Sequence, residues 1–131
     1  MSMRVLVVDD ERDDAVSLML LLSDEGYAVK GVSNGDDMWS SLTTFRPDAI
    51  LLDIGLPGGD GYELAWQLRA RLRERCPPLI AVTGRSRDAD RIRAELAGFR
   101  HYLCKPYDPL ALIGLLNSVN AGRPLDQAPA R

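Results

Sequence analysis

Acidic, hydroxyl and amino side chains lie at the ends of four short apolar runs in this 131-residue chain. The acidic run Asp9-Asp10-Glu11 follows the first, Asp53 the second, Thr83 the third and Lys105 the fourth. A carboxylate is an accepted nucleophile at phosphorus, and phosphoryl transfer otherwise depends mainly on positioning and charge neutralisation. If the four positions meet, they can hold a divalent cation and a phosphoryl group together, with Asp53 as the nucleophile.

The apolar runs are typical of buried strands, and segments of helical period separate them. The predicted strands cover residues 5–8, 27–32, 49–52, 79–82 and 102–104, and the predicted helices cover 13–25, 35–45, 61–75, 88–97 and 109–119. Asn34 and Asp108 are typical N-caps, and Gly26 is a typical residue to end a helix. Five β-α units in order predict an α/β fold with a parallel sheet and helices on both faces. Because the carboxyl ends of parallel strands share one edge, where such folds bind ligands, the four positions are expected to converge there.

The apolar positions of the helices predict which faces pack on the sheet. We expect Val16, Met19 and Leu20 of the first helix to face inward. Trp39 and Trp66 are expected to be packing residues on the second and third helices. The inward positions predicted for the remaining helices are Met38, Leu42, Leu64, Leu68, Leu72, Leu112, Ile113, Leu116 and Val119.

Composition is that of an ordinary globular domain, with 46% hydrophobic and 27% charged residues. A net charge of −3 and a pI near 5.1 do not favour direct nucleic-acid binding. No apolar run approaches the roughly 18 residues of a membrane span, and no signal peptide begins the chain, so we expect a cytoplasmic protein. Cys76 and Cys104 lack metal-ligand spacing and are expected to be reduced thiols. Residues 1–120 are predicted to form one domain, followed by a linker-like tail at 121–131.

The carboxylates suit Mg²⁺, which prefers oxygen ligands in octahedral geometry and keeps several waters. Asp10 and Asp53 can bind it directly together with a backbone carbonyl from the loop after Asp53, while Asp9 is expected to act through a water. Without metal, carboxylates packed at one strand edge repel one another, which raises the pKa of at least one. Thr83 and Lys105 are placed to bind phosphoryl oxygens.

Each of these residues, taken singly, has an ordinary structural explanation. The pair Asp9-Asp10 could be a turn and helix cap, Asp53 a turn residue and Lys105 a surface corner. A functional site is favoured because each lies at the carboxyl end of a different strand. His101 has no metal-spaced companions and is expected to be a surface or edge histidine.

Four stretches of the sequence resemble one known family. They are Val7-Val8-Asp9-Asp10, Leu52-Asp53-Ile54-Gly55-Leu56-Pro57-Gly58-Gly59-Asp60-Gly61, Ala81-Val82-Thr83-Gly84 and Ala97-Gly98-Phe99-Arg100-His101-Tyr102-Leu103-Cys104-Lys105-Pro106. Thr83 follows Asp53 by 30 positions and Lys105 follows it by 52. These motifs and spacings are similar to those of the response-regulator receiver domain of two-component signalling. Residues 55–58 and 98–103 are most similar to receivers associated with hybrid sensor histidine kinases.

The resemblance implies a doubly wound, flavodoxin-like sheet with strand order 2-1-3-4-5. It implies that Asp53 accepts a phosphoryl group from a sensor histidine kinase or a phosphotransfer protein. The domain would catalyse only its own phosphorylation and dephosphorylation. By the same resemblance Asp9, Asp10, Asp53 and the Gly55 carbonyl would hold Mg²⁺, or Mn²⁺ in its place.

The resemblance also implies a phosphoryl-binding role for Thr83 and Lys105. Thr83 and Tyr102 would then form a switch that changes the surface of the domain after phosphorylation. A downstream effector is implied as a partner, but the sequence does not name it. Neither direct nucleic-acid contact nor a membrane span is expected.

Two other classes of protein share parts of this pattern. A haloacid-dehalogenase-type phosphatase also uses an aspartyl nucleophile, but it needs a second acid two residues later, where this chain has Gly55. A flavodoxin-like carrier has a Ser/Thr-rich phosphate loop after its first strand. Here acids stand in that place and would repel the FMN phosphate. A P-loop enzyme is excluded because no Gly-Lys-Ser/Thr run occurs.

Overall fold

Five strands and five helices alternate along the chain in the computed structural model, which describes residues 3–55, 61–84 and 88–121. The strands are β1 Arg4–Val8, β2 Ala28–Val32, β3 Ala49–Leu52, β4 Leu79–Thr83 and β5 His101–Cys104. The helices are α1 Arg12–Asp24, α2 Gly35–Thr44, α3 Gly61–Leu72, α4 Asp88–Ala97 and α5 Pro109–Ala121, with a 3₁₀ turn at Arg73–Arg75. The predicted order of elements is therefore confirmed, with bounds that differ by a few residues at most.

The strands form one parallel sheet in the order β2-β1-β3-β4-β5, as the resemblance implied. Its register brings the carboxyl ends to the same edge. Val8 lies opposite both Val32 and Leu52, Leu52 lies opposite Ala81, and β4 and β5 then continue as far as the pair Thr83 and Cys104. The residues that follow β1, β3 and β5 therefore emerge at the same edge of the sheet, with β4 between β3 and β5. This edge is the one where the sequence places its acidic and basic side chains.

Side chains of the strands alternate between two faces, and each face is covered by helices. On one face Val5, Val7 and Val82 pack against α1 and α5, whose buried residues are Ala15, Leu18, Leu22, Leu112, Ile113, Leu116 and Val119. On the other, Leu6 and Leu52 pack against α2, α3 and α4, whose buried apolar residues are Met38, Tyr62, Ala65, Leu68 and Ala94. Burying one large aliphatic side chain contributes about 1.5–3 kcal/mol to the free energy of unfolding. These two layers therefore stabilise the sheet that carries the polar side chains at its edge.

The predicted inward face of α1 is wrong. Ala15, Leu18 and Leu22 are buried, whereas Val16 is 46% and Leu20 is 64% exposed. Met19 is partly buried against the same core. Because apolar residues occupy nearly every position from 15 to 22, the sequence does not determine which stripe meets the sheet.

The two tryptophans differ in their surroundings. Trp39 is partly buried against the core, as predicted, and the Arg71 guanidinium lies 4.6 Å from its ring centroid. Trp66 is 61% exposed, so its predicted packing role is wrong. The buried stripe of α3 runs through Tyr62, Ala65 and Leu68, and Trp66 lies beside that stripe.

The predicted helix ends are confirmed by hydrogen bonds. The Asn34 side chain accepts a bond of 2.8 Å from the Asp37 amide, and Asp108 Oδ1 accepts one of 3.0 Å from the Leu110 amide. Gly26, just past α1, has a φ of +92°, a conformation that favours glycine. The other predicted inward residues of α2 and α3 (Leu42, Leu64 and Leu72) are partly buried against the core.

Cys76 and Cys104 are both free thiols. Within the described ranges, every helix is too short or too polar to cross a bilayer.

His101 begins the edge strand β5 and is partly exposed, in agreement with its predicted place. Residues 56–60 of the loop after Asp53 and residues 122–131 of the predicted 121–131 tail lie outside the described residues.

Candidate functional site

Three carboxylates converge at the carboxyl edge of the sheet. One ligand oxygen from each of Asp9, Asp10 and Asp53 lies within 4.8 Å of the others. Asp9 is only 5% exposed, the Asp53 side chain is 13% exposed, and Asp10 is exposed. The cluster therefore has a buried floor and an open rim, and residues from the ends of β1 and β3 build it.

The sheet itself fixes the backbone on both sides of this cluster. The Asp9 amide donates to the Val32 carbonyl and the Asp53 amide donates to the Val8 carbonyl, each at 3.0 Å. The side chains are also oriented: Asp9 Oδ1 accepts a hydrogen bond of 2.9 Å from the Glu11 amide, and Asp53 Oδ1 accepts one of 2.8 Å from the Gly55 amide. The other oxygen, Asp53 Oδ2, has a longer contact, of 3.5 Å, with Lys105 Nζ.

Lys105 reaches the cluster from the end of β5. Its amide donates to the Thr83 carbonyl at 2.7 Å, which continues the ladder between β4 and β5. Its ammonium Nζ lies 2.8 Å from Asp9 Oδ2 and 3.5 Å from Asp53 Oδ2. A third carboxylate, that of Asp14 on α1, lies 3.1 Å from the same nitrogen.

Asp14 is a site neighbour that the sequence did not indicate. It belongs to the first turn of α1, where an acidic residue is commonly explained by the helix dipole. Only the approach of α1 to the segment that follows β5 shows that the Asp14 side chain reaches Lys105. No local signal in the sequence could have found that contact.

Burial and charge shift the protonation of this site. Burial raises the pKa of Asp9 above its usual value, and the charge of Asp53 adds to the effect, while Lys105 and the Glu11 amide oppose it. The expected rise of one carboxylate pKa is found, with burial rather than repulsion as its main cause. Burial by itself lowers the pKa of Lys105, but hydrogen bonds to Asp9 and Asp14 outweigh this and raise it. Lys105 is therefore a permanent cation near neutral pH.

Thr83 and Tyr102 lie on the same face of the sheet. Tyr102 pairs with Ala81, two residues before Thr83, and side chains two apart on a strand share a face. Thr83 is 1% exposed, while Tyr102 is partly buried against the core that α2, α3 and α4 cover. The Arg91 guanidinium of α4 lies 4.9 Å from the Tyr102 ring centroid. Thr83 and Tyr102 therefore lie on the face of the sheet that α4 covers, and Arg91 of α4 contacts the Tyr102 ring.

The chemistry of the donor set fits a hard divalent cation. Mg²⁺ accepts one or two carboxylates and retains water in its other positions. Asp10 has no side-chain hydrogen bond or ion pair in the described part of the chain, so its carboxylate is available. Both oxygens of Asp9 are already engaged, by the Glu11 amide and Lys105, which agrees with an indirect role through a water.

The sequence matches the family model of the response regulator receiver domain over residues 5–117. The chain belongs to this family. Receiver domains of response regulators bind Mg²⁺ at an acidic cluster, and Asp9, Asp10 and Asp53 form such a cluster here. Receivers also interact with histidine kinases or phosphotransfer proteins. The chain is thus a phosphoacceptor signalling domain, and neither the phosphatase nor the flavodoxin alternative is supported.

Full-length relatives and solved structures agree with this assignment. The chain is 37% identical over 124 residues to an uncharacterised 14.6 kDa protein in the sodA1 3′ region of Leptolyngbya boryana, with 95% of each chain covered. It is 33% identical to protein PilH of Pseudomonas aeruginosa, covering 91% of this receiver and 98% of PilH. The crystal structure of a proposed response regulator from Chloroflexus aurantiacus J-10-fl superposes with a TM-score of 0.85 at 30% identity, covering 92% of this chain and 99% of that one.

Proposed function

We propose that Asp53 is the residue that accepts the phosphoryl group. Its Oδ2 is less tightly held than Oδ1, which the Gly55 amide orients at 2.8 Å. Attack of a carboxylate oxygen on the phosphorus of a phosphohistidine forms a P–O bond, breaks the P–N bond and leaves an acyl phosphate on the aspartate. The imidazole of the donor departs with the electron pair of the broken bond and takes up a proton.

Lys105 and Thr83 are the proposed ligands of the transferred group. The Lys105 ammonium already lies 3.5 Å from Asp53 Oδ2 and can pair with one phosphoryl oxygen. Thr83 is the last residue of the strand β4, and its hydroxyl can donate a hydrogen bond to a second phosphoryl oxygen. In a phosphoryl transfer the transition state carries its charge on these oxygens, so fixed donors and cations stabilise it.

Asp9, Asp10, Asp53 and the Gly55 carbonyl are the proposed holders of Mg²⁺, with Mn²⁺ as an alternative. When bound, the ion supplies positive charge that neutralises the phosphoryl oxygens. Asp9 orients the site by fixing Lys105, and its burial keeps that ion pair in place. Asp10 contributes an exposed carboxylate at the open rim.

The proposed physiological role is that of a signalling switch in the cytoplasm. A sensor histidine kinase or a phosphotransfer protein would be the donor, and an effector of unknown identity would be the recipient of the signal. Catalysis would be limited to the domain's own phosphorylation and dephosphorylation. The convergence of three carboxylates and Lys105 at one sheet edge is the observation that carries this proposal.

Replacement of the nucleophile tests the proposal. Asp53→Asn keeps the size of the side chain but removes the nucleophilic carboxylate, so it should abolish labelling by acetyl phosphate or by a phosphorylated kinase. Intact-mass spectrometry of the wild type should show one added phosphoryl group. A cold, mildly acidic quench should preserve this group, and hydroxylamine should remove it. Undiminished labelling of Asp53→Asn would overturn the assignment. Circular dichroism of the variant checks that it has folded.

A further inference from the structure

Asp14 approaches the proposed phosphoryl site from α1, outside the metal-binding cluster. Its Oδ2 lies 3.1 Å from Lys105 Nζ, closer than the 3.5 Å that separates this nitrogen from Asp53 Oδ2. Asp14 and Lys105 both line a cavity of about 510 Å³ between α1 and the segment after β5. The ammonium is therefore drawn towards α1 as well as towards Asp53.

The ammonium of Lys105 has three N–H donors, and three carboxylates lie around it. A phosphoryl group on Asp53 would bring further anionic oxygens that compete for these donors. The contact with Asp9 is buried, and breaking such a pair leaves a costly uncompensated charge. The Asp14 side chain is 51% exposed, and water can replace its contact with Lys105 easily. Of the two shorter contacts of Lys105, the one with Asp14 is therefore the easier for phosphoryl oxygens to displace.

We infer that Asp14 is a positioning residue that holds Lys105 towards α1 and so weakens binding of the phosphoryl group at Asp53. This inference rests on the proposed function of Asp53 and Lys105. Two effects act in the same direction. Asp14 competes for the lysine donors, and its negative charge repels an incoming phosphoryl group. Removal of the Asp14 charge should therefore favour the phosphorylated state.

Beryllofluoride, which mimics a phosphoryl group on a carboxylate, provides a direct test with a small probe. Its dissociation constant would be measured by NMR titration at saturating Mg²⁺ for the wild type, Asp14→Asn and Asp13→Asn. Asp13 is a matched control because it precedes Asp14 on the same helix, is exposed, and forms no side-chain hydrogen bond or ion pair in the described chain. An exposed ion pair is worth about 0.2–1 kcal/mol, so Asp14→Asn should bind roughly 1.4- to fivefold more tightly. Asp13→Asn should bind like the wild type.

Three further measurements separate a positioning role of Asp14 from a structural one. The melting temperature and the Mg²⁺ affinity without beryllofluoride should stay close to the wild type in Asp14→Asn, and Asp14→Glu should restore weaker binding. Unchanged or weaker binding by Asp14→Asn would overturn the inference. Equal tightening by Asp13→Asn would overturn it too, because the effect would then be one of general charge. If the wild type does not bind beryllofluoride at all, the proposed function itself fails, which is a different result.

Discussion

Lys105 forms its shortest ion pair with Asp9, at 2.8 Å, rather than with the proposed nucleophile Asp53, at 3.5 Å. In this arrangement the lysine neutralises the most buried carboxylate of the site. Among the described residues, Lys105 contacts three carboxylates, those of Asp9, Asp14 and Asp53, so negative charge exceeds positive charge in this group. That excess of negative charge favours binding of a divalent cation.

Mg²⁺ should stabilise the fold, because it relieves repulsion that exists only when the carboxylates are gathered. A ligand at a hundredfold excess over its Kd adds about 2.7 kcal/mol to the free energy of unfolding. We expect the melting temperature of the wild type to rise by several degrees in millimolar Mg²⁺, and Asp10→Asn to lose most of that rise. Differential scanning fluorimetry with and without EDTA measures it. A wild-type melting temperature that ignores Mg²⁺ would count against the metal site.

Phosphorylation should change the packing of Tyr102 and α4. When the Thr83 hydroxyl turns towards a phosphoryl group, it vacates space on the face that the Tyr102 ring shares. A local charge thereby drives a packing change between two states. We expect amide chemical shifts with and without beryllofluoride to differ strongly in residues 83–105, and Asp53→Asn to show no such differences. Shifts limited to residues 9–53 would contradict propagation.

Gly61, at the start of α3, should not tolerate a side chain. A Cβ at this position would lie 2.3 Å from Ile54 Cα and 2.8 Å from the Asp53 carbonyl oxygen. Both neighbours are backbone atoms, so Gly61→Ala forces the segment after Asp53 to move and should cost about 1–3 kcal/mol of unfolding free energy.

Gly114→Ala is the matched control for Gly61→Ala. Gly114 lies inside α5, and a Cβ there meets nothing within 4 Å. Because alanine is the better helix former, this variant should gain roughly 0.5–1 kcal/mol. Urea unfolding of the two variants measures the contrast. If both change stability equally, the close approach at Gly61 has no energetic consequence.

The lifetime of the acyl phosphate should depend on position 55. Hydrolysis needs a water in line with the P–O bond, and a Cβ at Gly55 would lie 3.4 Å from Asp53 Oδ1. Gly55 itself is exposed and gives no shielding. We expect Gly55→Met to slow loss of the phosphoryl group several-fold, with little change in Mg²⁺ affinity, because only the backbone carbonyl there is a proposed ligand. A decay rate equal to that of the wild type would show that access past this position does not limit hydrolysis.

The sequence by itself determined the alternation of strands and helices, the order of the elements and the strand ends that carry Asp9, Asp53, Thr83 and Lys105. Apolar runs bounded by turn and cap residues are local signals. A parallel α/β sheet then leaves one edge where those ends can meet. The caps Asn34 and Asp108 were predicted for the same reason, since a cap bonds to amides a few residues away.

Only the tertiary structure decided which stripe of α1 is buried, that Trp66 is exposed, and which carboxylate Lys105 pairs with most closely. Almost every residue from 15 to 22 of α1 is apolar, so its rotation about its axis depends on how α1 docks beside β1 and α5. That docking turns Ala15, Leu18 and Leu22 inward and brings Asp14 to Lys105, 91 positions away in the chain. Contacts across such a separation depend on side-chain packing between elements, which local pattern does not encode.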